Sequence, residues 1–406
     1  MNFITKTHQL KAAIDILLKS QFITVDTEFC REATFWPKVC LIQIASPETA
    51  ILIDPLERDI DLTPFAKLMS AKETLKVFHS ARQDLEMIYH LTGLIPKPLF
   101  DTQIAAMVCG HGDSISYERL VFHITKHKIN KSSCFTNWSQ RPLSQQQINY
   151  ALADVTHLRE VYTSLRDTLQ QSNRYSWLNE EINKLEEETY DLSPEEAWKK
   201  VKGRVHNPRE LSVLQKIAAW REREAQKRNR PRSHILKDHT LIEIAIQQPR
   251  TRNQIRNLRT IPRIYKNSDH ITDQLLKTIE EALKMKKEAL PTLNRCSNYQ
   301  EKKEKQSQVE IIKLLLKVVT TENNVATRIV ATNDDITEIV IKREKADVLA
   351  MRGWRFDIFG SKALAILNGT IGIGVQNGTI KLFDIPHAAK EDLVQERGRG
   401  LLWTKY

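Results

Sequence analysis

The chain has 406 residues, 41% of them hydrophobic, with 61 Lys and Arg against 50 Asp and Glu and a formal net charge of +11. That length implies roughly two to four domains, each able to bury its own core. The composition is that of a soluble globular protein, and no apolar run reaches the length of a membrane span.

The charge is unevenly spread. Residues 1–190 carry 20 Lys and Arg against 23 Asp and Glu, and the remainder carries 41 against 27. A basic excess confined to the C-terminal part favours a polyanionic partner there, nucleic acid ahead of membrane. The five cysteines, Cys30, Cys40, Cys109, Cys134 and Cys296, are odd in number and show no C-x-x-C pairing. Free thiols in a reducing compartment are expected, not a zinc site. The opening stretch MNFITKTHQLKAAIDILLKS reads as an amphipathic helix, not a secretory signal, so a cytoplasmic location is expected.

In chain order, Leu10, Ile14, Leu17 and Leu18 recur at helical spacing and predict a helix over 6–20. Residues 22–25, FITV, form a short apolar run rich in β-branched residues and predict a strand. Apolar runs at 39–45 and 51–54 predict two more, the three forming a β-meander. A helix at 62–69, a strand at 74–78, a helix through Leu91, a short strand ending at Asp101 and a helix at 102–109 follow. Strands alternating with helices after a meander predict an α/β domain with a mixed sheet. Residues 114–165 read as mostly helical, with Ser144 capping the helix that starts at Gln145. A charged helix over 177–190 and the turn at 191–194 close this domain.

Acids punctuate these elements. Asp26 and Glu28 end a buried strand two residues apart, so their side chains share one face. Their repulsion in partly apolar surroundings needs a positive charge, and a divalent cation accepts carboxylate oxygens. Asp84 begins a helix after a strand, where free N–H groups favour an anion. Asp101 sits at a similar junction and is expected to be a structural cap. Tyr150 and Asp154 lie four residues apart on one helix face, placed to position a water.

In order, Asp26, Glu28, Asp84, Tyr150 and Asp154 resemble the DEDD superfamily of 3′-to-5′ exonucleases, in the subclass whose third motif is Tyr-x-x-x-Asp. FITVDTEF, VFHSARQDLE, FDTQIAA, SISYERLV and NWSQRPLSQQQINYALADVTHL look like ribonuclease D, densely over about 20–165 and more loosely beyond. The resemblance implies an α/β RNase H-like exonuclease domain, a mixed sheet flanked by helices, followed by two small mainly α-helical HRDC-like domains. It implies two divalent ions, Mg²⁺ or Mn²⁺. By position Asp26 would bridge both, Glu28 and Asp154 would hold one, Asp84 would support the other, and Tyr150 would orient the attacking water. Thr27, Phe29 and His79 become candidates for gripping the terminal nucleotide.

Beyond Leu211 an apolar helical stripe, Leu211, Leu214, Ile217 and Ala218, precedes the basic turn at 227–232. This all-α pattern resembles the HRDC module of ribonuclease D and RecQ-type helicases. Arg228, Arg230 and Arg232, with Arg250, Arg252, Arg256 and Arg259, would meet RNA phosphates without reading sequence. A charged linker at 297–308 leads to helices at 309–320 and 325–330. Gly353-Trp354-Arg355 resembles the end of a second, diverged module, but residues 371–383 read as a β-hairpin turning at Asn377-Gly378. The Arg- and Gly-bearing tail matches no motif. The expected domains are 1–190, 204–288 and 300–406. The expected activity is trimming of RNA 3′ ends, with tRNA precursors as partners, by a monomer without membrane contact. The acids alone leave open the same chemistry on DNA, since discrimination needs a 2′-OH contact.

Overall fold

The computed structural model describes residues 2–31, 33–129, 136–188, 190, 193–292 and 305–386. Cys134, Cys296, part of the 191–194 turn, residues 297–304 of the charged linker and the tail after Pro386 lie outside the described residues. By contacts the chain divides into two units: Met1–Gln103 with Tyr117–Asp167 and Leu178–Ser297, and Ile104–Ser116 with Thr168–Trp177 and Asn298–Tyr406.

The first unit holds a six-stranded mixed sheet in the order β1-β4-β3-β2-β5-β6. The strands are β1 (Asn2–Ile4), β2 (Phe22–Cys30), β3 (Lys38–Ala45), β4 (Ala50–Ile53), β5 (Leu75–Phe78) and β6 (Leu99–Asp101). The predicted meander β2-β3-β4 is antiparallel. β1 is a difference from the sequence reading, which gave the N-terminus wholly to a helix. Residues 2–4 instead extend β4 in parallel, and helix α1 (Thr7–Leu17) follows. Three residues are too few for alternation to register.

β2 organises the site. Its parallel pairing with β5 runs only from Phe22↔Leu75 to Thr24↔Val77. Its antiparallel pairing with β3 continues to Cys30, with a register shift between Glu28 and Phe29. Residues 26–28 therefore overshoot the end of β5, where the chain turns from His79 into the next helix. An irregular strand end beside an open crevice is where bulges and ligand sites concentrate.

Further helices are α2 (Thr63–Ser70), α3 (Arg82–Thr92), α4 (Thr102–Val108), α5 (Tyr117–Thr125), α6 (Gln145–Gln171), α7 (Tyr175–Glu187) and α8 (Pro208–Arg228). Ser144 caps α6 as expected: the Gln147 N–H donates to its hydroxyl at 3.2 Å, and the Ser144 N–H donates to the Gln147 side chain at 3.0 Å. Arg141, just before, donates to both Asp54 oxygens and to the carbonyls of Trp138 and Cys40. This bidentate pair on a buried carboxylate fixes where α6 begins.

α8 opens on Asn207, whose side chain accepts from the Glu210 N–H, and closes on Asn229 at φ +46°. Val213, Ile217, Leu241, Ile244, Leu275 and Ile279 form the core of the helical region beneath it. Phe35, from the loop after β2, is buried in that same core. The Asn229 side chain accepts the backbone N–H groups of Phe35 at 3.1 Å and Trp36 at 3.0 Å. The loop leaving the acidic strand is thus pinned into the helical region.

The second unit contains helices at Gln306–Glu322, Asn333–Lys342 and Ser361–Leu367, then the predicted hairpin. Strands Ile371–Gln376 and Thr379–Asp384 join at Asn377 and Gly378, both at positive φ, as a two-residue hairpin turn requires. Phe383 lies against Gly374, where a Cβ would meet its ring at 2.8 Å. Trp177 and Trp354 stack 4.0 Å apart at 6°, with Arg174 over the first ring and Arg355 over the second.

Candidate active site

Asp26, Glu28 and Asp154 meet. Each offers a carboxylate oxygen, and these atoms lie within 4.8 Å of one another. Two come from alternate positions of β2 and the third from α6, 126 residues later in the chain. The Thr24 hydroxyl, on the same β2 face, donates to the Val155 carbonyl at 2.7 Å and to Ala45 at 3.2 Å. That bond anchors α6 to the strand one residue from Asp154.

Asp84 joins from the first turn of α3. Its carboxylate accepts the Thr27 hydroxyl at 2.6 Å. Asp101 is the structural cap expected: one oxygen accepts the N–H groups of Ser80 and Gln103, the other that of Ala81. It therefore fixes the turn that delivers Asp84. Tyr150 hydrogen-bonds the Asp154 carboxylate across one turn of α6, and its ring faces Trp138.

The electrostatics follow from crowding acids in a half-dry pocket. Burial, then the Asp154 charge, pushes Asp26 well above the usual carboxylate range, while the Thr27 backbone N–H pulls it down. Burial, then the Asp26 charge, raises Asp84, opposed by the Thr27 hydroxyl. Burial lifts Asp154 to about 8, opposed by the Tyr150 bond. Without a cation these three aspartates resist ionisation.

The donor set fits hard divalent cations, which take carboxylate oxygens. One neighbour supports that fit. Gln43 lies directly across from Asp26 and is fully buried, yet neither side-chain amide atom has a hydrogen-bond partner among the described residues. A buried amide beside crowded acids indicates a polar centre to be completed by a bound group.

The remaining candidates sit as follows. Thr27 is buried, its hydroxyl committed to Asp84. Phe29 is half-buried with the Arg31 guanidinium 5.8 Å from its ring centre. His79 is held by Thr102, Nδ1 to hydroxyl 3.0 Å, and its ring lies 5.4 Å from that of Tyr117. Arg228 ends α8 and Arg232 opens the short helix Arg232–Ile235 after it; they pair with Glu224 and Glu222 of α8, and Arg230 between them is exposed. Arg252 and Arg256 are drawn to Asp269 and Asp273. The structure does not bring these arginines into the acid cluster.

Tyr117, Glu118, Thr24 and Gln43 were not singled out from sequence. Tyr117 donates to the Ala153 carbonyl at 3.0 Å, and burial, then the charges of Asp154 and Asp26, raises its phenol well above normal. Glu118 adds repulsion on Asp154. Tyr117 and Glu118 fall within SISYERLV, but helical spacing gave no sign that they face the acids.

Comparisons with known proteins find matches over most of the chain. Residues 1–170 match the 3′-5′ exonuclease family and residues 210–279 the HRDC domain family. A ribonuclease D of Bartonella henselae is 51% identical over 94% of this chain and 93% of its own length. One of Nitrobacter hamburgensis is 42% identical over 94% and 98%. The crystal structure of Escherichia coli RNase D, described as an exoribonuclease involved in structured RNA processing, superimposes with a TM-score of 0.76 at 26% identity. That match covers 91% of this chain and 99% of the other.

Proposed function

The chain belongs to the ribonuclease D family of hydrolytic 3′-to-5′ exoribonucleases, and on that premise we propose that it trims the 3′ ends of tRNA precursors, releasing 5′-mononucleotides one at a time. The observation carrying this reading is the convergence of Asp26, Glu28 and Asp154 within 4.8 Å, with Asp84 alongside.

In this reading Asp26, Glu28, Asp84 and Asp154 would hold two divalent cations, Mg²⁺ or Mn²⁺, with Asp26 serving both, Glu28 and Asp154 one and Asp84 the second. Bound there, the ions supply electrostatic stabilisation of the attacking and leaving oxygens of the phosphodiester. Tyr150 holds Asp154 by its hydroxyl and orients the attacking water beside it. Thr27 grips the terminal nucleotide through its backbone while its hydroxyl fixes Asp84. The half-buried ring of Phe29 offers a face for the terminal base. His79, tied to Thr102, keeps Tyr117 against the α6 turn that carries Asp154.

The helical region at 204–288 and the unit ending in the hairpin, taken as a second diverged HRDC-like domain over 300–406, hold the structured body of the RNA. Arg228, Arg230 and Arg232 are the phosphate contacts of the first, and 1–190 is the exonuclease domain. No helix among the described residues is long and apolar enough to cross a membrane. We assign the protein to the cytoplasm, acting as a monomer.

A tRNA precursor with a short 3′ extension, 5′-labelled to follow shortening and uniformly labelled to follow products, incubated with Mg²⁺ or Mn²⁺, tests this. Stepwise shortening with mononucleotide products is expected. Internal cuts, oligonucleotide products or equal trimming in EDTA would contradict it, and faster trimming of matched DNA would favour a DNA substrate.

A further inference from the structure

Two cavities of the first unit share part of their walls. The first, about 570 Å³, is walled by Arg31, Arg82, Glu188, Tyr190 and Arg232. The second, about 450 Å³, is walled by Arg221, Ser233 and Lys237. Lys200 and Arg232 line both and join them.

The first cavity is lined by residues that follow or precede the acids in the chain, Gln83 directly before Asp84 among them. Arg31 is three residues past Glu28, about 10 Å along an extended chain, and Arg82 is two residues before Asp84. That places the opening within reach of the nucleotides preceding a phosphodiester held at the acids.

The lining suits a chain of phosphates. Arg31 pairs with Glu86, Arg82 with Glu188, and Arg232 with Glu222. Each guanidinium carries five donors, so these pairs position the forks without exhausting them. Lys200 and Lys237 are exposed and form no ion pair among the described residues. Each cavity also contains a buried donor lacking an acceptor. Tyr190 is 7% exposed, and its hydroxyl has no partner among the described residues. Arg221 is 2% exposed and uses Nη1 on Leu236 and Asp238, but its Nε has no partner. Buried donors are rarely left unmatched. Two of them, one per cavity under a basic rim, call for a ligand that brings acceptors to both cavities.

We propose that these linked cavities are successive subsites for the sugar-phosphate backbone of the RNA strand upstream of its 3′ end. Tyr190 and Lys200, from the segment joining the two matched domains, form the outer wall. Neither residue falls within the stretches that match the exonuclease or HRDC families. The connecting segment is therefore part of the substrate track. The inference rests on the exoribonuclease reading and adds how many nucleotides the enzyme feels.

The test compares oligoribonucleotides of two, four, six and eight residues with wild type, Tyr190→Phe, Lys200→Glu and Lys237→Glu, each checked for an unchanged melting temperature. Wild-type kcat/KM should rise with length, and the variants should flatten that rise through KM. About tenfold is expected at eight residues for Lys200→Glu, and about threefold for Tyr190→Phe. Binding of the eight-residue strand in EDTA, followed against salt, gives a second readout. Lys200→Ala should make the log–log slope shallower by about 0.7, the value for one lost single-strand phosphate contact. Variants matching wild type at every length, or losing the same factor at every length, would overturn the inference and leave the exoribonuclease reading standing. A wild type that cleaves no oligoribonucleotide with either metal would overturn that reading itself.

Discussion

The Thr24 hydroxyl and the Val155 carbonyl, 131 positions apart, meet at 2.7 Å and lock the helix carrying Asp154 onto the strand carrying Asp26. Thr24→Val keeps the shape and deletes the donor. We expect a stability loss of about 1–2 kcal/mol, the usual cost of one buried hydrogen bond. We also expect kcat to fall about tenfold, because small displacements of a catalytic group are costly. Denaturant unfolding and steady-state trimming measure the two. Full kcat with the stability loss would show that this bond serves folding alone.

Thr27 acts on Asp84 in the same indirect way. Its hydroxyl opposes the rise that burial and Asp26 impose on that carboxyl. Thr27→Val should weaken cation binding about tenfold, the lower range for loss of a group supporting a metal ligand, and Thr27→Ser should restore it. Calorimetric titration with Mn²⁺ reads this directly. An unchanged affinity in Thr27→Val would mean that Asp84 does not need the hydroxyl.

The pH dependence follows from the raised acids. Asp154 holds its proton up to about 8 when folded and cation-free, whereas an unfolded aspartate releases it near 4. Between those values the folded state binds more protons, so cation-free stability falls as pH rises. Cations bind the ionised form and displace those protons, so their apparent affinity climbs over the same range. The rise in melting temperature given by Mn²⁺ should therefore be larger at pH 8 than at pH 6. An equal rise at both pH values would place the ion away from Asp154.

The acid cluster was legible because its members obey local rules. Period-two alternation puts Asp26 and Glu28 on one face, and helical spacing puts Tyr150 beside Asp154. The meander and the C-terminal hairpin were legible for similar reasons, through apolar runs and an Asn-Gly turn. What stayed hidden depends on contacts between distant segments. Phe35 reads as a loop aromatic, yet it is buried in the core of the helical region because Asn229 captures its backbone. Gln43 sits in an apolar run with no sign that it opposes Asp26. The basic turn read as free charge, whereas Arg228 is steered by Glu224 of its own helix and Arg232, from the short helix after it, by Glu222 of α8. Charge counting cannot foresee such pairs.

The central claim is that Asp26 and its partners hold the cations on which hydrolysis depends. Asp26→Asn preserves size and removes the shared charge. Trimming of labelled RNA with Mn²⁺ by this variant should fall by at least about a hundredfold, as expected for several kcal/mol of lost stabilisation, and Mn²⁺ should no longer raise its melting temperature. Trimming within about threefold of wild type, with the Mn²⁺ effect retained, would contradict the account.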